Sequence, residues 1–309
     1  MRFIDLRSDT VTEPTPAMLK SMIDADVGDD VYGDDPTVNR LQDIAAKKLR
    51  KEASLFVPSG TFGNQLAILT HTFRGDEVIV PEDNHIVVHE VGAPAVISGV
   101  GLKLIGSDNG KIDIKELEKK FRTDDIHFPR TGLICTENAH SSGKVVPVSN
   151  MEEVYLFSVE RGIPLHLDGA RIFNAAANLE IDPALIAKYC DSVMACLSKG
   201  LCSPVGSILA GNKKFIDKAI KNRKMMGGGM RQAGYLAAPG IISLEVMTER
   251  LKEDHDMAAY LADCIEETGC FEVDRNRLDI NMVFCKTVID DFDQGKMMDY
   301  LFLRHSLKI

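Results

Sequence analysis

The chain has 309 residues, with 45% apolar and 27% charged side chains and a formal net charge of −10. That balance suits a globular protein with room for one large domain and a smaller one, and the lack of a basic patch argues against nucleic acid or an anionic membrane as partner. The residues after Met1, Arg2-Phe3-Ile4-Asp5-Leu6-Arg7, lack the apolar core of a signal peptide, and no uncharged stretch is long enough to span a bilayer. Seven cysteines, an odd number with no Cys-x-x-Cys pair, read as buried thiols in a reducing cytoplasm, with no metal site expected.

Residues 1–35 are loop-rich and predict an N-terminal arm wrapped onto the body. Pro36 to Glu52 places Leu41, Ile44, Ala45 and Leu49 on one helical face. Ser54-Leu-Phe-Val-Pro leads to Ser59-Gly60-Thr61, which opens a second helix through Leu69. A strand at Glu77-Val-Ile-Val, a helix from His85 to Ala93, a strand at Lys103-Leu-Ile and a helix from Asp113 to Phe121 follow. Next come a strand from Gly132 to Glu137 and a helix from Asn150 to Arg161, with Asn150 as its N-cap. The apolar run Pro164-Leu-His-Leu ends at Asp168, Ser192-Val-Met-Ala-Cys-Leu runs up to Lys199, and Val205-Gly-Ser-Ile-Leu-Ala is one more strand. This alternation predicts a large α/β domain with a mostly parallel sheet over residues 36–240. Beyond it lie a long helical stretch through Glu267, alternating Phe271-Glu-Val and Asn281-Met-Val-Phe, and a last helix around Lys296 to Leu303. These predict a small, incomplete α+β domain over residues 241–309.

Ligands of such sheets collect at the carboxyl ends of the strands, where Glu137, Asp168 and Lys199 fall. An amine at one strand end and a carboxylate at another are the pair that pyridoxal phosphate chemistry needs. The lysine forms a Schiff base with the aldehyde, and the acid keeps the pyridine nitrogen protonated. Ser59-Gly60-Thr61 at a helix start is a phosphate cradle of free N–H groups and hydroxyls, although serine and threonine cap many helices. His85 reads either as a cap or as a ring stacked on the pyridine and able to move a proton, and Glu90 either as a solvated helix position or as its companion. His127 lies in the irregular stretch Asp124-Asp-Ile-His-Phe-Pro, and Ser8 reads as part of a turn. The basic run from Lys213 to Arg231, which includes Lys224, surrounds Gly227-Gly-Gly, a loop that needs unusual backbone angles or close packing.

Taken together, Asp5-Leu-Arg-Ser-Asp-Thr-Val-Thr, Tyr32-Gly-Asp-Asp-Pro, Pro58-Ser-Gly-Thr, Asn84-His, His89-Glu90, Thr136-Glu-Asn-Ala-His, His166-Leu-Asp-Gly-Ala-Arg, Leu197-Ser-Lys-Gly-Leu and Gly227-Gly-Gly-Met-Arg-Gln-Ala-Gly resemble the low-specificity L-threonine aldolases. These are fold type I pyridoxal phosphate enzymes of the β-eliminating lyase group. The resemblance implies Lys199 as the Schiff-base lysine, Asp168 as partner of the pyridine nitrogen and His85 as the stacked ring. It implies a phosphate site at Ser59, Gly60 and Thr61, helped by Arg231 and Lys224 across a dimer interface. It also implies Ser8 and Arg171 at the substrate carboxylate, His127 near the substrate hydroxyl and Glu90 in the proton-transfer network. The assembly it implies is a dimer with shared active sites, or a tetramer. A second carboxylate-binding arginine is expected just before a Val-Thr-His-like strand; the sequence reaches Leu303-Arg-His-Ser-Leu-Lys-Ile309 before such a strand, and Arg304 is not its counterpart.

The implied reaction is retro-aldol cleavage of L-threonine or L-allo-threonine to glycine and acetaldehyde. A β-eliminating lyase acting on cysteine- or serine-like substrates is the alternative on the same residues, and a non-catalytic cofactor-binding protein is a third reading.

Overall fold

The structure, a computed structural model, describes residues 3–309. The short strand β1 (Ile4–Asp5) and helices α1 (Pro16–Ile23) and α2 (Pro36–Lys48) come first. Strands and helices then alternate through β2 (Ala53–Val57), α3 (Gly60–His71), β3 (Glu77–Pro81), α4 (His85–Val88), β4 (Gly101–Ile105), α5 (Ile114–Lys120), β5 (Thr131–Glu137) and α6 (Val148–Glu160). After β6 (Leu165–Asp168) come α7 (Ile172–Leu179), α8 (Pro183–Ala187), β7 (Ser192–Cys196) and β8 (Ser207–Gly211). The chain finishes with α9 (Lys213–Met225), α10 (Gly234–Glu245), α11 (Leu251–Glu267), β9 (Phe271–Val273), β10 (Cys285–Thr287), α12 (Gln294–His305) and β11 (Leu307–Lys308).

Local chemistry sets many of the helix starts. Asp35 accepts hydrogen bonds from Thr37 and Val38 N–H ahead of α2, whose first residue is Pro36. Ser59, Asp113, Asp182 and Asn212 cap α3, α5, α8 and α9 in the same way.

Seven strands form one sheet in the order β2-β8-β7-β6-β5-β3-β4. β7, β6, β5, β3 and β4 run parallel, whereas β8 is antiparallel to both neighbours. The mostly parallel expectation holds, and β8 departs from it for a topological reason. The connection 197–206 contains no helix, so the chain returns as a hairpin rather than a crossover. Both faces of the sheet are covered. Ile134, Leu167 and Val193 join one apolar cluster, and Leu55, Met194 and Leu209 join another. In register, Glu137 pairs with Asp168, and Asp168 with Met194. That pairing places three strand ends side by side.

Four local expectations are corrected. The helix from His85 stops after one turn instead of reaching Ala93, because Val91 (φ 55°) and Gly92 (φ 68°) are left-handed and cannot continue it. Asn150 is not an N-cap: α6 starts at Val148 after Pro147, and the Asn150 side chain instead satisfies Ile112 N–H (3.0 Å) and C=O (2.8 Å). The long helical stretch is two helices, broken by a tight turn at 247–250. The second small strand forms at 285–287 rather than at Asn281: the register with β9 runs from Cys285 opposite Val273 to Thr287 opposite Phe271, and the Phe284 ring lies under the Arg277 guanidinium (3.6 Å). Among the described residues, no helix is long and apolar enough to cross a membrane.

Candidate active site

β6 ends on Asp168, which is 1% exposed. β7 ends on Cys196, and the chain bends through Leu197 and Ser198 to Lys199. Two donors fix that bend at the Lys199 carbonyl: the Thr12 hydroxyl at 2.7 Å, reaching in from the segment before α1, and Cys202 N–H at 2.9 Å. Opposite, α3 begins at Gly60, with Ser59 Oγ accepting from Phe62 N–H at 3.2 Å. Glycine is required there because a Cβ on residue 60 would lie 2.8 Å from Cys196 Sγ and 3.2 Å from Met194 Cε. The α3 start therefore presses directly on the end of β7. Between these elements lies a cavity of ≈ 270 Å³ whose walls include Ser59, Gly60, Thr61, His85, Asp168 and Lys199, with Thr10 and Asn64.

Carboxylates crowd one wall. His85 Nδ1 lies 2.9 Å from Glu90 Oε1, and His85 N–H donates to Glu137 Oε2 at 2.8 Å. The bond to Glu90 is the main cause that raises His85 above its usual pKa, with Asp168 and Glu137 adding to it against burial. Burial, then the nearby Asp168 charge, pushes Glu137 up to about 7. The ligand-capable atoms of His85, Glu90 and Asp168 lie within 4.8 Å of one another. Hydrogen bonds account for that closeness, since the Asn64 amide donates to Glu90 Oε1 (2.8 Å) and Asp168 Oδ2 (2.7 Å) together. Ala170 N–H satisfies the other oxygen, Asp168 Oδ1, at 3.1 Å.

The family described as beta-eliminating lyase matches residues 5–288. The chain belongs to the beta-eliminating lyase family. It is 47% identical over 305 residues to the low specificity L-threonine aldolase of Escherichia coli strain K12, covering 98% of this chain and 90% of that protein. It is 41% identical over 314 residues to low-specificity L-threonine aldolase 1 of Arabidopsis thaliana, covering 100% and 86%. The solved threonine aldolase of Leishmania major shares the fold, with a TM-score of 0.79 over 88% of this chain and 81% of that one at 21% identity.

In this member of the beta-eliminating lyase family the remaining sequence-predicted residues do not all reach the cavity. Glu90 is buried behind His85 rather than solvated. Arg171 is also buried. Its guanidinium is committed to Asp9 through Nε (2.8 Å) and Nη2 (2.7 Å). Burial pushes the Asp9 carboxyl upward, but the bonds and charge of Arg171 outweigh it and leave the group below its usual value. Ser8 is exposed and caps the turn 9–11, accepting from Thr10 N–H, as its turn reading predicts. Arg231 is exposed and paired with Asp29 (2.9 Å), and Lys224 is exposed on α9. His127 is exposed on the loop before β5, held by its own N–H to Asp125, and does not line the cavity. The glycine loop packs closely, as its composition predicts: Gly227 has φ 80°, and a Cβ on Gly228 would meet Phe62 Cζ at 2.3 Å.

Sequence reasoning missed Asn64, Thr10 and Asp9. Asn64 and Gln65 did leave a signal, as two adjacent polar residues inside the otherwise apolar α3; both are buried. Asp9 left none, because its partner is 162 positions away.

Proposed function

We propose that this protein is a pyridoxal phosphate-dependent aldolase that cleaves L-threonine or L-allo-threonine to glycine and acetaldehyde. One observation carries the reading: Lys199 and Asp168, delivered by neighbouring strand ends, line the same cavity as the Ser59–Thr61 helix start. The threonine aldolases that match nearly the whole chain support it.

The residues fit the cofactor. The first N–H groups of α3 have no helical partner, and Gly60 adds no side chain to that part of the cavity wall. Each Asp168 oxygen accepts one protein hydrogen bond, which leaves lone pairs for a protonated ring nitrogen. Pyridoxal phosphate, when bound, supplies an aldehyde that condenses with amines and a ring that accepts the electron pair of the broken Cα–Cβ bond.

The protein's own groups do the rest. Lys199 provides the amine, and Asp168 holds a proton on the ring nitrogen. Ser59, Gly60 and Thr61 hold the phosphate. His85 would lie against the ring, and with Nδ1 tied to Glu90 it is placed to take the β-hydroxyl proton, directly or through a water activated by Glu90. His127 is the weaker candidate for that proton because of its exposure. Asp9 takes Nε and one Nη2 hydrogen of Arg171, so Nη1 and the second Nη2 hydrogen are left for the substrate carboxylate, with Ser8 nearby in sequence. We place Arg231 and Lys224 at the phosphate of a second copy, in a homo-oligomer that covers apolar residues such as Val91, which is 95% exposed. Residues 1–35, 36–240 and 241–309 are the arm, large domain and small domain of this reading.

Acetaldehyde release from L-threonine by protein saturated with pyridoxal phosphate tests the function. Release above the protein-free rate supports it; pyruvate and ammonia from serine- or cysteine-like substrates, with no acetaldehyde from threonine, would replace it with β-elimination.

A further inference from the structure

We propose that Asn64 is a positioning residue that orients Asp168 and Glu90 together, at the end of a hydrogen-bond relay that runs in one direction from His71. The inference rests on the cofactor reading above and adds a part of the site that lies outside the motifs of the sequence.

Asn64 is fully buried on the first turns of α3. Its Nδ2 lies 2.8 Å from Glu90 Oε1 and 2.7 Å from Asp168 Oδ2, on carboxylates brought in by two different elements. Carboxylates accept and do not donate, so the amide must turn its NH2 towards them and its Oδ1 towards His166 Nε2 at 3.1 Å. An amide oxygen only accepts, so Nε2 of His166 carries the hydrogen and Nδ1 is the acceptor. Nδ1 faces Ser192 Oγ at 2.9 Å, which spends the hydroxyl hydrogen. Ser192 Oγ then accepts from His71 Nε2 at 2.8 Å. With both histidines neutral and both carboxylates ionised, these roles fix every hydrogen in the chain, and all point towards the site.

Both histidines are suited to a neutral relay. Burial drives His166 down to about 4 and His71 down to about 3, so neither carries a charge into the core at neutral pH. At the far end, both hydrogens of one amide are spent on two anions that would otherwise repel. Glu90 is then filled by His85 on Oε1 and by Gln65 Nε2 on Oε2 at 2.5 Å. Asp168 keeps its spare lone pairs towards the cavity. The relay therefore aims the one carboxylate that has capacity left.

Asn64→Asp keeps the shape and the acceptor facing His166 but replaces the two donors by an acceptor. Packing alone would tolerate it. The relay predicts a roughly tenfold or greater loss of pyridoxal phosphate affinity in fluorescence titration of the apoprotein, and a shift of about one pH unit in the midpoint of the bound cofactor's visible absorbance. A second pair guards against a variant that fails to fold. His166→Phe removes the donor to Asn64 and should move the same midpoint, while His166→Gln, with an N–H near the Nε2 position, should restore it. A folded Asn64→Asp protein with wild-type affinity and midpoint would overturn the relay, as would Phe and Gln variants that behave alike. Wild-type apoprotein that binds no pyridoxal phosphate would remove the cofactor reading, and this inference with it.

Discussion

Lys199 owes its place to three short contacts: the Cys202 N–H and Thr12 hydroxyl on its carbonyl, and the close approach of Gly60 to Cys196 just before it. Lys199→Ala removes the only amine among the described residues that line the cavity, so the visible absorbance of bound pyridoxal phosphate should disappear in a spectrum of the purified protein; an unchanged spectrum rules out the assignment. Asp9 and Arg171 form a buried, two-bond ion pair. Truncating one side strands a charge in the interior, so Asp9→Ala should lower unfolding stability by about 3–5 kcal/mol in urea. A loss below about 1 kcal/mol, the range of exposed pairs, would show that Arg171 finds other partners.

At the scale of elements, the site is made where α3 meets the ends of β6 and β7. The contact has no slack, because Gly60 and Gly63 both face Met194, where a Cβ on residue 63 would lie 2.7 Å from Cγ. Gly60→Ala therefore has to push α3 off β7, and both thermal stability and cofactor affinity should fall. Cys196→Ala in the same chain removes the nearest obstacle. Recovery of affinity in the double variant, measured by titration of the apoprotein, checks that the clash is the cause; a Gly60→Ala protein as tight as wild type would show that the helix start does not seat the phosphate.

Across the whole molecule, the relay histidines couple stability to pH. His166 and His71 titrate near 6.5 when unfolded, and burial lowers them to about 4 and about 3 in the fold. Between those values the unfolded chain binds more protons than the folded one, so stability falls as pH drops from about 6.5 towards 4. The loss approaches roughly 3 kcal/mol for His166 alone. Urea midpoints measured across this window should decline. In a His166→Gln variant the decline should shrink; an equal decline there would assign it to other groups.

What the sequence by itself determined is what rests on neighbours along the chain. Apolar runs leading to Asp168 and Lys199, the helix starts at Ser59 and Asp113, and the alternation of elements all follow from period, polarity and turn chemistry within a few residues. The motifs that carry the lysine, the acid and the proposed phosphate cradle were legible for the same reason. The tertiary structure alone decided which polar groups share a partner. It committed Arg171 to Asp9, drew Asn150 inward to Ile112, left His127 on the surface, and put Asn64 between two carboxylates that arrive from distant parts of the chain. A buried donor must find an acceptor wherever the packed elements present one, and that choice exists only once the sheet has set its strand order and register.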